Sequence, residues 1–277
     1  MSIKSKIKSL IYLMKTDKKI PIIQIEDKSK LLNNKVALIL GGDGGIGFAI
    51  AKEYAKAGAK IILLGRNINK LKKCKEVLNQ YSTSDYIIAD LYETSEFHNI
   101  LTKAISIFGK IDILVCSAGM HINKKGLSFL NSTEEEYDRI MNLNLKGTYF
   151  FCQEFSKYMI NNKIKGHILI ISSQSELEPA WSPYRLSKWG EKGLTQGLAQ
   201  VLLKYDIVVN SIAPGPTATD MQNYKEGESI DTRDNPIFRY TMPEEIAEYA
   251  LLLVSDLGNT IIGDKIYMSG RKRNNRN

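Results

Sequence analysis

Seven short runs, at residues 36–40, 60–64, 86–89, 111–116, 167–171, 207–212 and 265–268, are apolar at nearly every position. Between them lie amphipathic stretches at 46–57, 68–80, 95–108, 134–160, 187–204 and 243–256. A strand with one solvated face alternates apolar and polar residues, whereas a continuously apolar strand needs helices over both faces. The expected fold class is therefore α/β: a Rossmann-type, doubly wound, seven-stranded parallel sheet flanked by helices, in one domain. The pattern fills residues 31–270 without repeat, low-complexity block or linker. Residues 1–30 stand outside it as a basic extension, and residues 271–277 as a basic tail.

The first apolar run passes straight into Gly41-Gly42-Asp43-Gly44-Gly45-Ile46-Gly47, and a helix-forming stretch follows at once. Glycines let the backbone turn tightly and come close to a pyrophosphate, whose charge then meets free N–H groups and the positive end of the helix. A glycine cluster alone is weak evidence, the alternative being a flexible turn. Its place between the first strand and the first helix is the context that a dinucleotide site requires.

Further segments follow in order: Asp90 after the third run, Ser117-Ala118-Gly119 after the fourth, and Asn144-Leu145-Lys146-Gly147 in a helical stretch. Ser172-Ser173 closes the fifth run, Tyr184 and Lys188 stand four apart, and Pro214-Gly215 closes the sixth. With the turn spaced G-x-x-x-G-x-G at Gly41, Gly45 and Gly47, the chain over about residues 31–270 resembles the single-domain subgroup of the short-chain dehydrogenase/reductase family. The resemblance implies an NAD(P)-dependent oxidoreductase that moves a hydride between the nicotinamide and a small carbonyl or alcohol, as a homodimer or homotetramer. It implies that Gly41, Asp43, Gly45, Ile46 and Gly47 hold the cofactor at the turn, with Arg66, Asp90, Leu91, Ala118 and Gly119 beyond it. Asn144, Tyr184, Lys188, Pro214, Gly215, Thr217 and Thr219 complete the implied set around the nicotinamide end.

On a helix, Tyr184 and Lys188 share one face with Cβ atoms about 5–6 Å apart. A tyrosine hydroxyl, with an ordinary pKa of about 10, is a poor base near neutrality, and a fixed ammonium nearby favours the phenolate. In the family resembled, the tyrosine gives a proton to the carbonyl oxygen during reduction or removes it during oxidation, and the lysine also bonds the nicotinamide ribose. A serine at the end of the fifth strand holds the reacting oxygen, and a helical asparagine holds water in a relay to the lysine. Those roles fall to Tyr184, Lys188, Ser173 and Asn144. Ser173 precedes Tyr184 by 11 positions, two fewer than is usual, which implies a shortened loop and leaves Ser172 as the alternative. Asn142 competes with Asn144 but faces another side of a helix, and Asp90 reads either as a strand-end cap or as a neighbour of the adenine ring. Leu40, Cys116 and Ser117 replace a threonine and two asparagines of the family, implying an apolar repacking between the first and fourth strands.

An acidic residue at the end of the second strand would bond both ribose hydroxyls of NAD and repel the 2′-phosphate of NADP, whereas an arginine accommodates that phosphate. Here Gly65 takes the acid's place and Arg66 follows, so NADP(H) is expected over NAD(H). Gly44 stands where many NADP-using relatives carry a second base, which keeps the expected preference modest. The polar stretch from Thr217 to Tyr240 reads as a lid over the substrate. Its Arg233 and Arg239 read first as solvated charges and, alternatively, as contacts for an acidic substrate, while His121 reads as a loop residue.

A net charge of +8 would suit a nucleic-acid partner if the body carried it. It does not: residues 1–30 hold eight lysines against three acids, residues 271–277 hold four basic groups, and residues 31–270 carry 26 basic against 27 acidic. No nucleic-acid partner is expected. With neither a long apolar run nor a leader followed by a cleavage site, the chain is expected in the cytoplasm. Ile3, Ile7, Leu10, Ile11 and Met14 recur at helical spacing with lysines opposite, a short amphipathic helix that packs on a neighbouring subunit, touches a membrane surface or stays partly disordered. Cys74, Cys116 and Cys152 form no C-x-x-C pair, so reduced thiols and no metal site are expected. Two other functions compete: a catalytically silent nucleotide-binding or scaffold protein, which intact Tyr184, Lys188 and Asn144 oppose, and a sugar-nucleotide-modifying relative, which needs a different glycine spacing.

Overall fold

The computed structural model of the chain describes residues 27–122, 128–225 and 227–270. The apolar runs form β1 (Val36–Leu40), β2 (Lys60–Gly65), β3 (Ser84–Ile88), β4 (Ile113–Cys116), β5 (Gly166–Ile171), β6 (Ile207–Pro214) and β7 (Lys265–Met268). Every neighbouring pair is parallel, in the order β3-β2-β1-β4-β5-β6-β7. The chain thus leaves β1 on one side for β2 and β3 and returns on the other for β4. That reversal opens a crevice at the carboxyl ends of β1 and β4, where open α/β sheets bind ligands.

Side-chain alternation assigns the two faces. Ala37, Ile39, Ile61, Leu63, Ile113, Val115, Leu169 and Ile171 pack beneath α1 (Gly45–Lys56), α2 (Ile68–Leu78) and α7 (Pro243–Val254). Leu38, Leu40, Ile62, Leu64, Leu114, Ile168 and Ile170 pack beneath α3 (Phe97–Phe108), α5 (Thr148–Asn161) and α6 (Pro183–Leu202). The Tyr54 hydroxyl ties α1 to α7 by donating to the Ala250 carbonyl at 3.0 Å. At the amino ends, Asp112 accepts the Val36 amide at 2.9 Å, and Lys28 bridges Glu53 on α1 and Glu248 on α7.

Two helical stretches differ from the sequence expectation by more than a residue or two at an end. The stretch 134–160 is not one α-helix: α4 (Glu134–Ile140) runs into a π-helix (Met141–Gly147) before α5 begins. The wider turn accommodates the buried Asn144 amide, whose Oδ1 accepts Met120 N and whose Nδ2 donates to Met120 O. Helix α6 starts at Pro183, four residues before the expected 187, because Ser182 caps the Arg185 amide and proline suits a first turn. The amphipathic pattern from Ile3 to Met14 and the tail 271–277 lie outside the described residues. Among the described residues no helix is long and apolar enough to cross a membrane.

Candidate active site

The turn after β1 depends on close approach. Gly41 has φ +70°, and a Cβ there would stand 2.8 Å from the backbone of Ala118 after β4. Gly44 precedes helix α1 and brings no side-chain cap, which leaves the helix's first amides open to the crevice. The crevice is a cleft of about 460 Å³. Gly41, Asp43, Gly45, Ile46 and Gly47 line it, together with Arg66, Asp90, Leu91, Ala118, Gly119 and Thr219. Asn144 and Lys188 adjoin it at Gly119, where a Cβ would lie 3.5 Å from Asn144 Oδ1 and 3.7 Å from Lys188 Nζ. Tyr184, Pro214, Gly215 and Thr217 are not among its lining residues, and the Thr217 hydroxyl turns back to the Gly215 carbonyl at 2.9 Å.

The end of β2 is not without an acid, contrary to the sequence expectation. A Cβ at Gly65 would collide with the Asp43 carboxylate, which reaches over from the glycine turn and accepts the Asn67 amide. Arg66 leans to Asp90, 3.8 Å away. A second cation, Lys70, also lines the cleft and pairs with Asp220 at 2.9 Å. Lys70 lies in the first turn of α2, four positions after Arg66, and that nearness in the sequence could have flagged it.

Tyr184 and Lys188 share the first turns of α6, with Lys188 Nζ 5.7 Å from the centre of the Tyr184 ring. The Asn144 amide donates to Ser187 Oγ, and Ser187 donates to the Tyr184 carbonyl, so the π segment and α6 are stitched together. Ser173 Oγ accepts the Ser175 amide at 3.2 Å, while Ser172 Oγ donates to the buried Glu176 at 2.7 Å. His121 sets its ring edge-on to Tyr184, centroids 4.5 Å apart. Its signal in the sequence was its position two residues after Gly119.

Two carboxylates went unnoticed in the sequence. Both oxygens of Glu191 lie 2.9 Å from Lys188 Nζ, and the two side chains are only 2% and 5% exposed. Burial works to strip the Lys188 proton, but Glu191, Tyr184 and Glu176 outweigh it and hold the ammonium above the usual lysine range. Burial likewise pushes the Glu191 carboxyl up, against the pull of Lys188 and of the nearby Ser172 hydroxyl. Leu40 pairs with Cys116 across β1 and β4, the apolar contact expected there, and Cys116 Sγ meets Cys152 Sγ at 3.7 Å. The three cysteines are free, and among the described residues no cluster of His, Cys, Asp and Glu could hold a metal. Arg239 is committed within the chain, gripping Glu245 with both guanidinium arms at 2.7 and 2.8 Å.

A glycine turn, a switch-point cleft and a helical Tyr/Lys pair beside it define a nucleotide-dependent oxidoreductase of the Rossmann class. The short chain dehydrogenase family model matches residues 35–229. The chain is 34% identical over 244 residues to the 3-oxoacyl-[acyl-carrier-protein] reductase FabG of Rickettsia conorii, covering 86% of this chain and 97% of that one. It is 32% identical over 250 residues to a 3alpha-hydroxysteroid dehydrogenase of Mediterraneibacter gnavus, covering 88% and 98%. Among solved structures, a 3-ketoacyl-(acyl-carrier-protein) reductase from Brucella melitensis complexed with NADH superposes with a TM-score of 0.77 at 26% identity, over 87% of this chain and 98% of that one. The chain belongs to the short-chain dehydrogenase/reductase family and is an oxidoreductase of CH–OH and C=O groups.

Proposed function

We propose that this chain reduces a carbonyl, or oxidises the matching alcohol, with a nicotinamide dinucleotide in the cleft and Tyr184 as the proton-transferring residue. The observation that carries the reading is the convergence of Asn144 and Lys188 on Gly119 at the cleft's border, with Tyr184 one helical turn before Lys188. The bound cofactor supplies or accepts the hydride. The open amides of α1 and the glycine turn suit its pyrophosphate, because a dipole end and unpaired N–H groups meet a dianion there. Tyr184 Oη gives its hydrogen to the carbonyl oxygen as the hydride reaches carbon, and takes it back in the reverse direction. Lys188 holds positive charge beside that transfer, and Asn144 fixes the π segment against α6.

Ser173 is the serine that holds the reacting oxygen in this reading. Ser172 has committed its hydrogen to Glu176, whereas Ser173 Oγ accepts Ser175 N and keeps its own hydrogen to donate. Arg66 and Lys70 favour a 2′-phosphate and Asp43 opposes it, so NADP(H) is preferred over NAD(H) by a small factor. A second copy of the chain is the partner that suits the apolar hollow lined by Met141, Leu145, Tyr149, Phe150 and Leu194, making a homo-oligomer. Residues 31–270 form the cofactor-binding body. The test is a turnover screen with both reduced cofactors against ketones, acyl thioesters and keto-sugars, repeated with Tyr184→Phe. That variant is expected to lose a factor of about 10²–10⁴ in kcat at unchanged cofactor affinity, and retained turnover would overturn the mechanism.

A further inference from the structure

Between α6 and the last three strands lies a line of buried ionisable groups that the reaction just described does not use. Ser172 extends the row of Ile168 and Ile170 on the α6 face of β5. Lys265 pairs in register with Ser211 of β6, and Tyr267 follows two residues along the same face of β7. Glu176, on the short 3-10 turn after β5 (Gln174–Leu177), is completely buried among them. Lys188 meets Glu191 at 2.9 Å, the Ser172 hydroxyl lies near enough to Glu191 to favour its charge, and Ser172 donates to Glu176 at 2.7 Å. Glu176 ends the line by accepting from Lys265 at 2.6 Å and from the Tyr267 hydroxyl at 2.7 Å. Tyr267 is 39% exposed, so the line reaches solvent at the edge of the sheet.

Apolar side chains of similar volume would fill this space at no cost in desolvated charge. What the ionisable set adds is a succession of neighbouring groups that can each give up one hydrogen and accept another. Ser172 has one hydrogen for two carboxylates. It now donates to Glu176, and turning to Glu191 leaves Glu176 to find another hydrogen. Both amide hydrogens of Asn144 are meanwhile spent on Met120 O and Ser187 Oγ, and its oxygen accepts the Met120 amide, so that side chain is not a member of the line.

We propose that Tyr267, Glu176, Ser172 and Glu191 form a buried proton path from solvent to Lys188, which renews the proton that Tyr184 gives up in each reduction. The path rests on the Tyr184 reading above. In one inward passage Lys188 releases an Nζ–H toward the Tyr184 side and regains a hydrogen from Glu191. Glu191 takes its hydrogen from Ser172, Ser172 from Glu176, Glu176 from Tyr267, and Tyr267 from water. One proton enters, one reaches the tyrosine, and no electrons move; alcohol oxidation runs the passage outward. Lys265 stays paired with Glu176 and keeps the set neutral, two cations against two carboxylates. The other ionisable groups that act on the set are Lys192 and Tyr184 on α6 and Cys116 on β4. Burial favours proton uptake at the inner carboxylate, Glu191.

Carbonyl reduction is to be followed across pH in the full chain and in Tyr267→Phe, Glu191→Gln and Tyr184→Phe, resolving kcat, KM and cofactor affinity. Tyr267→Phe, at the exposed end, is expected to lower kcat about tenfold above about pH 8, where solvent protons are scarce, while KM and cofactor affinity stay within about twofold. Imidazole added as a small proton donor restores that loss. Glu191→Gln shows the same kcat loss without rescue, because the break lies inside. An unchanged kcat–pH profile in Tyr267→Phe overturns the path, and so does a loss that imidazole leaves in place. If Glu191→Gln does not fold by circular dichroism, Tyr267→Phe decides alone. Active Tyr184→Phe sinks the underlying reading, whereas inactive Tyr184→Phe beside an unaltered Tyr267→Phe sinks the path only.

Discussion

Asp43 reaches the end of β2 from the glycine turn, while Arg66 leaves that end toward Asp90. A carboxylate beside the ribose bonds two hydroxyls well and meets a phosphate badly; an arginine does the reverse. The two side chains should therefore pull cofactor choice in opposite directions. Asp43→Asn is expected to raise NADP(H) affinity relative to NAD(H) by roughly tenfold, about 1.4 kcal/mol, and Arg66→Ala to lower the same ratio by a similar factor. Cofactor titrations of both variants give the ratio directly. A parallel change in both affinities, in either variant, would mean that the side chain shapes the turn and does not read the ribose.

At the scale of elements, α4 is seven residues long and depends on its start. Thr133 Oγ1 accepts the Glu136 amide while Glu136 accepts the Thr133 amide, a reciprocal cap. Thr133→Ala is expected to cost about 1 kcal/mol in urea unfolding, with Thr133→Ser restoring most of it; equal stability of all three would show that α4 is held by packing alone. The strands were legible because each holds a mostly apolar run bounded by turn residues, and the cleft was legible because glycines sit between β1 and α1. The π-helix was not. Over seven residues its period cannot be told from an α-helix, and the neighbours Asn142 and Asn144 carry no mark of which one turns inward. Glu176 and Glu191 were hidden for another reason. A charge on a polar helix face reads as solvated, and the partner that buries Glu176, Lys265, stands 89 residues away. Asp43 was named as a cofactor contact, yet its reach to β2 needed the cross-strand geometry.

For the molecule as a whole, the buried His167 sets an acid limit. Burial lowers its pKa from 6.5 to about 4, with the Lys35 charge adding to the effect, and Nδ1 has no partner. Because the folded value is below the free one, the unfolded chain binds more protons in the window between them, and stability falls as pH drops through it. The full loss approaches about 3 kcal/mol, since each tenfold weakening of proton affinity is worth about 1.4 kcal/mol. Denaturant melts between about pH 7 and 5 should flatten in His167→Val, and an unaltered slope would assign the acid sensitivity elsewhere. His167 and Asp112 stand at the amino ends of β5 and β4, while the glycine turn, Gly119 and Ser173 stand at the carboxyl ends. The sheet thus has a holding end and a working end. Descendants of this chain can trade substrates at one without loosening the joints at the other, and those joints can be hardened without blunting the tool.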